Sequence, residues 1–258
     1  MVKEPIIFAL TGKGGVGKTS LSSAFVRVLS EEHPDSRILA IDADPAVGLA
    51  TTLGVSSGVT VDDIRNVFTQ EVEEGQAAKA MELLGEARYR VEDAIVCKKN
   101  ISFLAIGRPE TSGCYCKVNA YLKEVISLLA KNFDYVVIDG EAGIEQVNRR
   151  VMEKVDHLIL LSDASRKGIE VCRTILHVGE GMEMFASHEL ILNRILDVDS
   201  VKDMDLKGLN LISVIPNDVA TAMADARGDS VFSWNEDDIL LVKAREAMHR
   251  MLEQRGDK

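Results

Sequence analysis

A short glycine- and lysine-rich run near the start of the chain has the residue types needed to bind a phosphate group. Residues 12–19 match the spacing G-x-x-x-x-G-K-[ST], between an apolar run at 6–10 and a segment with helical periodicity. Glycines let backbone N–H groups turn inward around a phosphate, and a helix start adds its positive end. The residues expected to contact a nucleotide here are Gly12, Gly14, Gly15, Val16, Gly17, Lys18, Thr19 and Ser20.

Two side chains of this loop have more specific expected roles. Lys18 can reach the β- and γ-phosphates of a nucleoside triphosphate, and the Thr19 hydroxyl can ligate Mg²⁺. A glycine-rich turn that binds nothing is the alternative. The strand before the loop and the helix after it favour the nucleotide site.

A second lysine, Lys13, follows the first glycine, where an ordinary phosphate loop needs no cation. The run at 12–19 resembles the deviant Walker A family, K-G-G-x-G-K-[ST], which includes the nitrogenase iron protein, cell-division and plasmid-partition ATPases, and metal-delivery ATPases. The resemblance implies an ATP-hydrolysing homodimer, in which Lys13 reaches the partner's nucleotide and neutralises transition-state charge. A solvated surface charge is the alternative for Lys13.

Carboxylates follow two of the predicted strands. Asp42 and Asp44 lie at the end of a strand predicted at 37–42, and Asp139 ends a strand predicted at 135–139. Ligands of open α/β sheets bind outside the carboxyl ends of the strands, so these side chains are expected beside the phosphate loop. Asp139 is the Walker B-like residue expected to hold Mg²⁺ through water. The alternatives are helix capping by Asp42 and Asp44, and a plain turn at Asp139.

The family resemblance adds roles for the first two of these carboxylates. It implies that Asp44 orients the attacking water and therefore acts in catalysis with Lys13 and Lys18. It also implies that Asp42 holds the water shell of the Mg²⁺ ion.

Two later strand ends are candidates for reading the nucleotide base. Asn193 ends a predicted strand with an amide that can pair with adenine. A second segment resembles the base-contacting loop of the family, although capping of a helix predicted at 218–227 is the alternative. Its residues are Pro216, Asn217 and Asp218.

Cys114 and Cys116 lie between a predicted strand and a predicted helix. Two thiolates separated by one residue cannot fill a tetrahedral site, but two copies related by a two-fold axis supply four sulfurs. Zn²⁺, Cu(I) or Ni²⁺ would suit such a site. Buried structural thiols or a redox pair are the alternatives. Cys172 is expected in the core, and Cys97 has no assigned role.

The cysteine pair and the run Asp-Gly-Glu-Ala-Gly-Ile-Glu at 139–145 together resemble the nickel-insertion accessory ATPases that mature carbon monoxide dehydrogenase. The run is expected to form switch II, which senses the γ-phosphate. The resemblance implies that Cys114 and Cys116 of two subunits hold Ni²⁺ or Zn²⁺. It also implies handover to a client nickel enzyme, carbon monoxide dehydrogenase or the related acetyl-CoA synthase. An electron-transfer iron–sulfur reductase of the nitrogenase iron protein type is the alternative, with Cys97 as a further ligand.

The bulk composition excludes several classes of protein. The net charge of −11 disfavours non-specific nucleic-acid binding, and the sequence has neither an apolar run of transmembrane length nor a secretory leader. Four cysteines are too few for a disulfide framework, so we expect a cytoplasmic protein without a membrane partner. A scaffold-positioning ATPase on membrane or DNA is the second alternative, because the predicted last helix mixes apolar and basic residues.

Short apolar runs alternate with helical patterns along all 258 residues. This alternation predicts an α/β fold, with a doubly wound, mostly parallel sheet flanked by helices in one domain over 1–258. The predicted strands are 6–10, 37–42, 101–106, 135–139, 157–162, 189–193 and 209–214. The predicted helices are 18–32, 59–69, 74–86, 117–132, 144–154, 166–180, 218–227 and 237–254. The charged segment 54–100 is expected to be a helical excursion on the surface.

Overall fold

The computed structural model describes residues 4–44, 47–73, 86–107, 116–140, 143, 147–148 and 151–256. Its strands are β1 (Ile6–Gly12), β2 (Ile38–Asp42), β3 (Val96–Lys98), β4 (Ile101–Ala105), β5 (Tyr135–Asp139), β6 (Val155–Ser162), β7 (Phe185–Ile195) and β8 (Leu211–Pro216). They form an eight-stranded sheet in the order β3-β4-β2-β5-β1-β6-β7-β8. β3 pairs antiparallel with β4, and the neighbouring pairs from β4 to β8 are parallel. The predicted doubly wound, mostly parallel sheet is therefore confirmed.

Helices cover both faces of this sheet. The helices are α1 (Lys18–Glu32), α2 (Gly48–Leu53), α3 (Val61–Glu73), α4 (Cys116–Ala130), α5 (Arg166–Gly181), α6 (Val219–Arg227) and α7 (Ile239–Gly256). A further α-helical segment lies at 86–93, and short 3₁₀ helices lie at Val198–Asp203 and Val231–Ser233. One apolar core lies under α1, α2 and α7, and a second core lies under α3, α4 and α5.

The strand sequences explain this three-layer arrangement. All five residues of β5, Tyr-Val-Val-Ile-Asp, are buried. Successive side chains of a strand point to opposite faces, so Tyr135 and Val137 enter one core while Val136 and Ile138 enter the other. A strand covered by helices on both sides is apolar along most of its length, as β5 is up to its terminal Asp139.

The structure corrects the prediction for the segment 54–100. This segment is not only a surface excursion, because α3 buries Ile64 and Phe68 in the second core and Phe68 is 0% exposed. The strand β3 was not predicted, and neither was α2. Residues 74–85, most of a predicted helix, lie outside the described residues.

The predicted helix at 144–154 is wrong at its carboxyl end. Val151 and Met152 close a turn on the carbonyl of Val147, and the chain then extends into β6. The physical reason is the pairing of Val155 with the segment before β7, where its N–H donates to the Met184 carbonyl at 2.8 Å. The expectation of one domain over 1–258 stays a prediction.

Parallel pairing brings the carboxyl ends of the central strands to one edge of the sheet. β1 ends in the glycine-rich loop, and β2 and β5 end in carboxylates at matched register, Asp42 beside Asp139. β6 and β7 end on the other side of β1. Among the described residues, no helix combines the length and apolar character needed to cross a membrane, and the cytoplasmic location stays a prediction.

Candidate nucleotide-binding site

Two glycines determine the shape of the loop between β1 and α1. Gly12 has φ 144°, and a Cβ atom there would lie 2.0 Å from the carbonyl oxygen of Leu161 in β6. Gly17 has φ 91° in the left-handed region and begins the helix α1. Residues other than glycine rarely adopt either of these backbone conformations. Glycine is therefore required at position 12 by the close approach to β6 and at position 17 by the turn into α1.

The Lys18 ammonium group contacts the backbone of this loop. Its Nζ atom is 3.4 Å from the Gly12 carbonyl oxygen and 3.3 Å from the Lys13 carbonyl oxygen. These are long, weak contacts, which a phosphate oxygen can replace with stronger charge-assisted bonds. The geometry fits the expected role of Lys18 at a triphosphate.

The buried carboxylate of Asp139 has the features of an Mg²⁺ position. Its Oδ1 atom accepts a hydrogen bond from the Ser22 hydroxyl at 3.0 Å, while its buried Oδ2 atom has no hydrogen-bond partner. Burial raises the pKa of Asp139 to about 6, and the nearby Thr19 and Ser22 hydroxyls and the Lys18 ammonium oppose this rise. An unpartnered oxygen beside a second hydroxyl offers the hard oxygen ligands that Mg²⁺ prefers.

Asp42 lies next to Asp139 but is engaged differently. Its Oδ1 atom accepts from the Asp44 N–H at 3.1 Å, and its Oδ2 atom accepts from the N–H of Leu49 in α2 at 2.8 Å. Burial, with the neighbouring Asp139 charge, raises the pKa of Asp42 to about 7. These contacts agree with the alternative that Asp42 caps the following helix. Asp42 thereby holds the backbone at Asp44 and at the start of α2. Its role in the water shell of Mg²⁺ stays a prediction, as does that of Asp44 in catalysis.

Lys13 is partly buried and engaged within its own subunit. Its Nζ atom lies 2.6 Å from Asp163 Oδ2 and 3.2 Å from Ser165 Oγ, just beyond the end of β6. This ion pair and the hydrogen bonds from Ser165 lower the pKa of Asp163, against the effect of its partial burial. The side chain thus points toward β6 and α5 rather than back over its own loop.

Asn193 and Arg194 brace the loop from the end of β7. The Asn193 amide donates from Nδ2 to the Val16 carbonyl at 2.9 Å and accepts from the Arg194 N–H at 2.9 Å. Arg194, at φ 60°, donates from Nη1 to the Gly15 carbonyl at 2.8 Å. The sequence reasoning assigned Asn193 to the base and missed Arg194, because no local pattern links the end of β7 to a loop near residue 15. Base recognition by Asn193 stays a prediction.

The predicted base-contacting residues do come together beside the loop. They line one cavity of about 30 Å³ with Ser20, whose hydroxyl donates to Asp225 Oδ1 at 3.2 Å. Asp218 also caps α6. It accepts from the Thr221 hydroxyl at 2.6 Å and from the Thr221 and Ala220 N–H groups at 2.9 and 3.2 Å, and these bonds lower its pKa. The cavity is lined by Asn193, Pro216, Asn217 and Asp218 among others.

The predicted cargo-metal and switch II residues fall largely outside the described residues. Cys114 lies outside them, and Cys116 begins α4 with its side chain not described. Of the predicted switch II loop, the N–H of Gly143 donates to the Thr11 hydroxyl at 3.1 Å. In the described part of the chain, no group of three or more His, Cys, Asp and Glu side chains is arranged to hold a metal.

The two remaining cysteines differ in environment. Cys172 is fully buried, as predicted, and burial raises the pKa of its thiol to about 11. Cys97 is exposed on the edge strand β3, with its sulfur 3.6 Å from the Ser102 hydroxyl.

The fold and the loop define a P-loop nucleotide-binding protein, and comparisons with known proteins identify the family. The family model described as an AAA domain matches residues 4–198. An uncharacterized ATP-binding protein of Methanocaldococcus jannaschii is 34% identical over 254 residues, which cover 97% of this chain and 100% of that protein. The chain belongs to this AAA-domain family of P-loop ATPases.

Further similarities extend over nearly the whole chain. The carbon monoxide dehydrogenase accessory protein CooC of Rhodospirillum rubrum is 28% identical over 272 residues, covering 96% of this chain and 97% of that protein. The septum site-determining protein MinD of Pyrococcus horikoshii, solved with Mg-ADP, superposes with a TM-score of 0.71 at 21% identity, with 98% of both chains covered. A ParA family ATPase of Chlorobium tepidum superposes with a TM-score of 0.69 at 21% identity, covering 95% of this chain and 99% of that one. The last two similarities confirm the fold.

Proposed function

We propose that this chain is a Mg²⁺-dependent ATPase that works as a nucleotide-gated homodimer and assists nickel insertion into carbon monoxide dehydrogenase or the related acetyl-CoA synthase. The observation that carries the proposal is the Cys114-Tyr115-Cys116 pair. It occurs in a chain that resembles the accessory protein CooC over nearly its full length. An ATPase that only positions cellular scaffolds has no need of paired thiolates.

The geometry of the loop supports the hydrolytic half of the proposal. Thr19 and Asp139 would hold Mg²⁺, and the unpartnered Asp139 Oδ2 atom fits that role. The ion would neutralise charge on the β- and γ-phosphates. Lys18 would bind the same phosphates, and Asp44 would orient the attacking water from a segment whose backbone Asp42 holds.

The cargo half of the proposal rests on symmetry. One subunit offers two thiolates, and a two-fold axis would bring four together around one Ni²⁺ or Zn²⁺ ion. Cys116 is the first residue of the 15-residue helix α4, while Cys114 lies outside the described residues. Closure over ATP and assembly of the thiolate site would then be coupled in free energy.

Light scattering after gel filtration, combined with metal analysis, tests the proposal. Asp44→Ala should trap an ATP-bound dimer, and with Ni²⁺ that dimer should contain about one metal ion. Cys114→Ser or Cys116→Ser in the same background should remove the ion but keep the dimer. Cys97→Ser is the matched control, because Cys97 is a free thiol exposed on the edge strand β3 and outside the cysteine pair. A chain that stays monomeric with saturating ATP and Ni²⁺ would refute the proposal.

The client is tested separately with the two nickel-free enzymes. The proposal predicts ATP-dependent activation of carbon monoxide dehydrogenase or of acetyl-CoA synthase by the nickel-loaded dimer, and the enzyme that responds is the client. If Cys114→Ser no longer activates the client enzyme while Cys97→Ser still does, nickel delivery depends on the cysteine pair. Activation of neither enzyme above the level given by free Ni²⁺ would contradict nickel delivery.

A further inference from the structure

Asp163 and Ser165, which bind the Lys13 ammonium group, are held in place by hydrogen bonds that do not involve the lysine. Asp163 Oδ1 accepts from the N–H of Ser165 at 3.1 Å and from its hydroxyl at 2.5 Å. The Ser165 oxygen in turn accepts from the Gly168 N–H at 3.1 Å and so caps α5. This leaves Asp163 Oδ2 and one lone pair of Ser165 Oγ directed at Lys13, which they bind at 2.6 and 3.2 Å. The contact is therefore a defined binding position for an ammonium group.

The sheet fixes this position relative to the phosphate loop. Gly12, the residue before Lys13, pairs with Leu161 in the ladder between β1 and β6. Asp163 follows Leu161 by two residues, so backbone hydrogen bonds hold both ends of the contact. The two side chains remain about a third exposed, at 30% for Lys13 and 32% for Asp163. Solvent can reach the pair, and the lysine can leave it without unpacking the core.

This position competes with the role proposed for Lys13. A carboxylate and a triphosphate are both anionic, and they repel each other when they approach the same ammonium group. A triphosphate carries more charge than a carboxylate and is the stronger acceptor once a partner presents it at close range. Lys13 must therefore leave Asp163 if it is to bind a partner's nucleotide.

The geometry points to an autoinhibitory contact, in which Asp163 holds Lys13 within its own subunit until a closing dimer offers the partner's triphosphate in exchange. This inference rests on the proposed trans role of Lys13. Asp163 is then a positioning residue, which acts through Lys13 and touches no substrate. The contact makes dimer closure depend on the nucleotide of the partner and resists closure of empty subunits.

The expected size of the effect follows from the exposure of the pair. A partly exposed ion pair shifts an equilibrium by about two- to five-fold. Closing a symmetric dimer breaks two such pairs, so removal of Asp163 should tighten the dimer by about four- to 25-fold.

Asp163→Asn is the primary test variant. Asparagine keeps an oxygen that can accept from Ser165 but loses the charge that binds Lys13. Sedimentation velocity with Mg²⁺ and a non-hydrolysable ATP analogue should show a dimer dissociation constant about four- to 25-fold lower than that of the wild type. The ADP affinity of the monomer should stay within about two-fold, because Lys13 points away from its own loop. An unchanged dimer dissociation constant would overturn the inference.

Ser165→Ala separates the charge effect from loosening of α5. It removes the helix cap and one acceptor of Lys13 but keeps the Asp163 charge, so it should tighten the dimer by at most about two-fold. If it tightens the dimer as much as Asp163→Asn does, the effect belongs to the helix and the inference fails. Asp163→Glu, which restores the charge, should return the dissociation constant toward the wild-type value.

A measurement on the wild-type chain covers the case in which Asp163→Asn does not fold. The acylation rate of the Lys13 amine in the nucleotide-free protein, followed by mass spectrometry, should be lower than that of exposed Lys167 in α5. Equal rates would contradict the contact.

The outcome for Lys13→Ala distinguishes the autoinhibitory contact from the proposed trans role of Lys13. If that variant dimerises normally, the trans role fails, whereas a dimerisation defect beside an unaffected Asp163→Asn overturns only the autoinhibitory contact.

Discussion

Asp42 and Asp139 occupy paired positions at the carboxyl ends of the neighbouring strands β2 and β5, and both side chains are buried. Their proximity contributes to raising the pKa of Asp42. The two carboxylates differ in their hydrogen bonds. Asp42 uses both oxygens on backbone N–H groups, while Asp139 keeps one oxygen without a partner.

Asp139→Asn should make the nucleotide-free protein more stable and less sensitive to pH. The pKa of Asp139 is raised from 3.8 to about 6, so the folded state binds its proton more tightly than the unfolded state. This group therefore costs stability increasingly as pH rises through about 4 to 6, and at pH 7 the variant should gain on the order of 3 kcal/mol. Urea denaturation between about pH 5 and about pH 8 measures the difference.

The same variant should lose the ability of Mg²⁺ to strengthen nucleotide binding. Asp203→Asn, on the exposed turn before β8, is the control and should change neither property. Equal pH dependence of stability in the wild type and Asp139→Asn would show that burial does not raise the pKa of Asp139.

Lys13→Ala should separate nucleotide binding from turnover. The lysine pairs with Asp163 and not with its own loop, so ATP affinity should stay within a few-fold of the wild type. Hydrolysis and ATP-driven dimerisation should both be lost, because the partner's site lacks its cation. Steady-state phosphate release and light scattering are the measurements. Lys167→Ala, which removes an exposed charge from α5, should retain both activities; normal turnover in Lys13→Ala would exclude the trans role.

Asn193→Ala should lower both stability and nucleotide affinity, because Asn193 contacts the phosphate loop. It removes the bond from Nδ2 to the Val16 carbonyl and leaves a buried acceptor unpaired, at a cost of about 1 to 3 kcal/mol. Nucleotide affinity should fall with it, because Val16 lies within the loop. Thermal denaturation and calorimetric titration with ADP measure the two effects.

Asn210→Ala is the matched control for that variant. Its Nδ2 atom donates to the His188 carbonyl at 3.3 Å, but the side chain is exposed and lies before β8, away from the loop. It should change stability by less than about 0.5 kcal/mol and leave ADP affinity intact. Similar losses in both variants would mean that Asn193 has no special role in the loop.

Gly12→Ala should prevent the loop from forming against β6. The added Cβ atom would lie 2.0 Å from the Leu161 carbonyl oxygen, so β1 and β6 would have to move apart. Gly14→Ala is the control for stability, since a Cβ atom there has no described neighbour within 4 Å. We expect a loss of several kcal/mol in the first variant and less than about 1 kcal/mol in the second. Comparable melting temperatures would contradict the close approach.

Local sequence patterns were sufficient for the central elements. The helix α1 occupies 18–32, as its periodicity predicted, and β5 occupies 135–139. These elements are specified by apolar spacing and by glycine at positions where other residues cannot go. The segment from 54 to 100 was less well predicted, because charged residues mask the few apolar positions of α3, and a three-residue edge strand such as β3 gives no periodic signal.

The sequence alone determined that a phosphate-binding loop joins a buried strand to a helix, and that carboxylates end the strands at the same edge. Spacing within a few residues encodes both features. Only the tertiary structure decided which partners complete them. Lys13 meets Asp163 across 150 positions of chain, and Asn193 meets Val16 across 177. Such contacts depend on which strands become neighbours in the sheet, and the burial of two apolar cores sets that order rather than any local pattern.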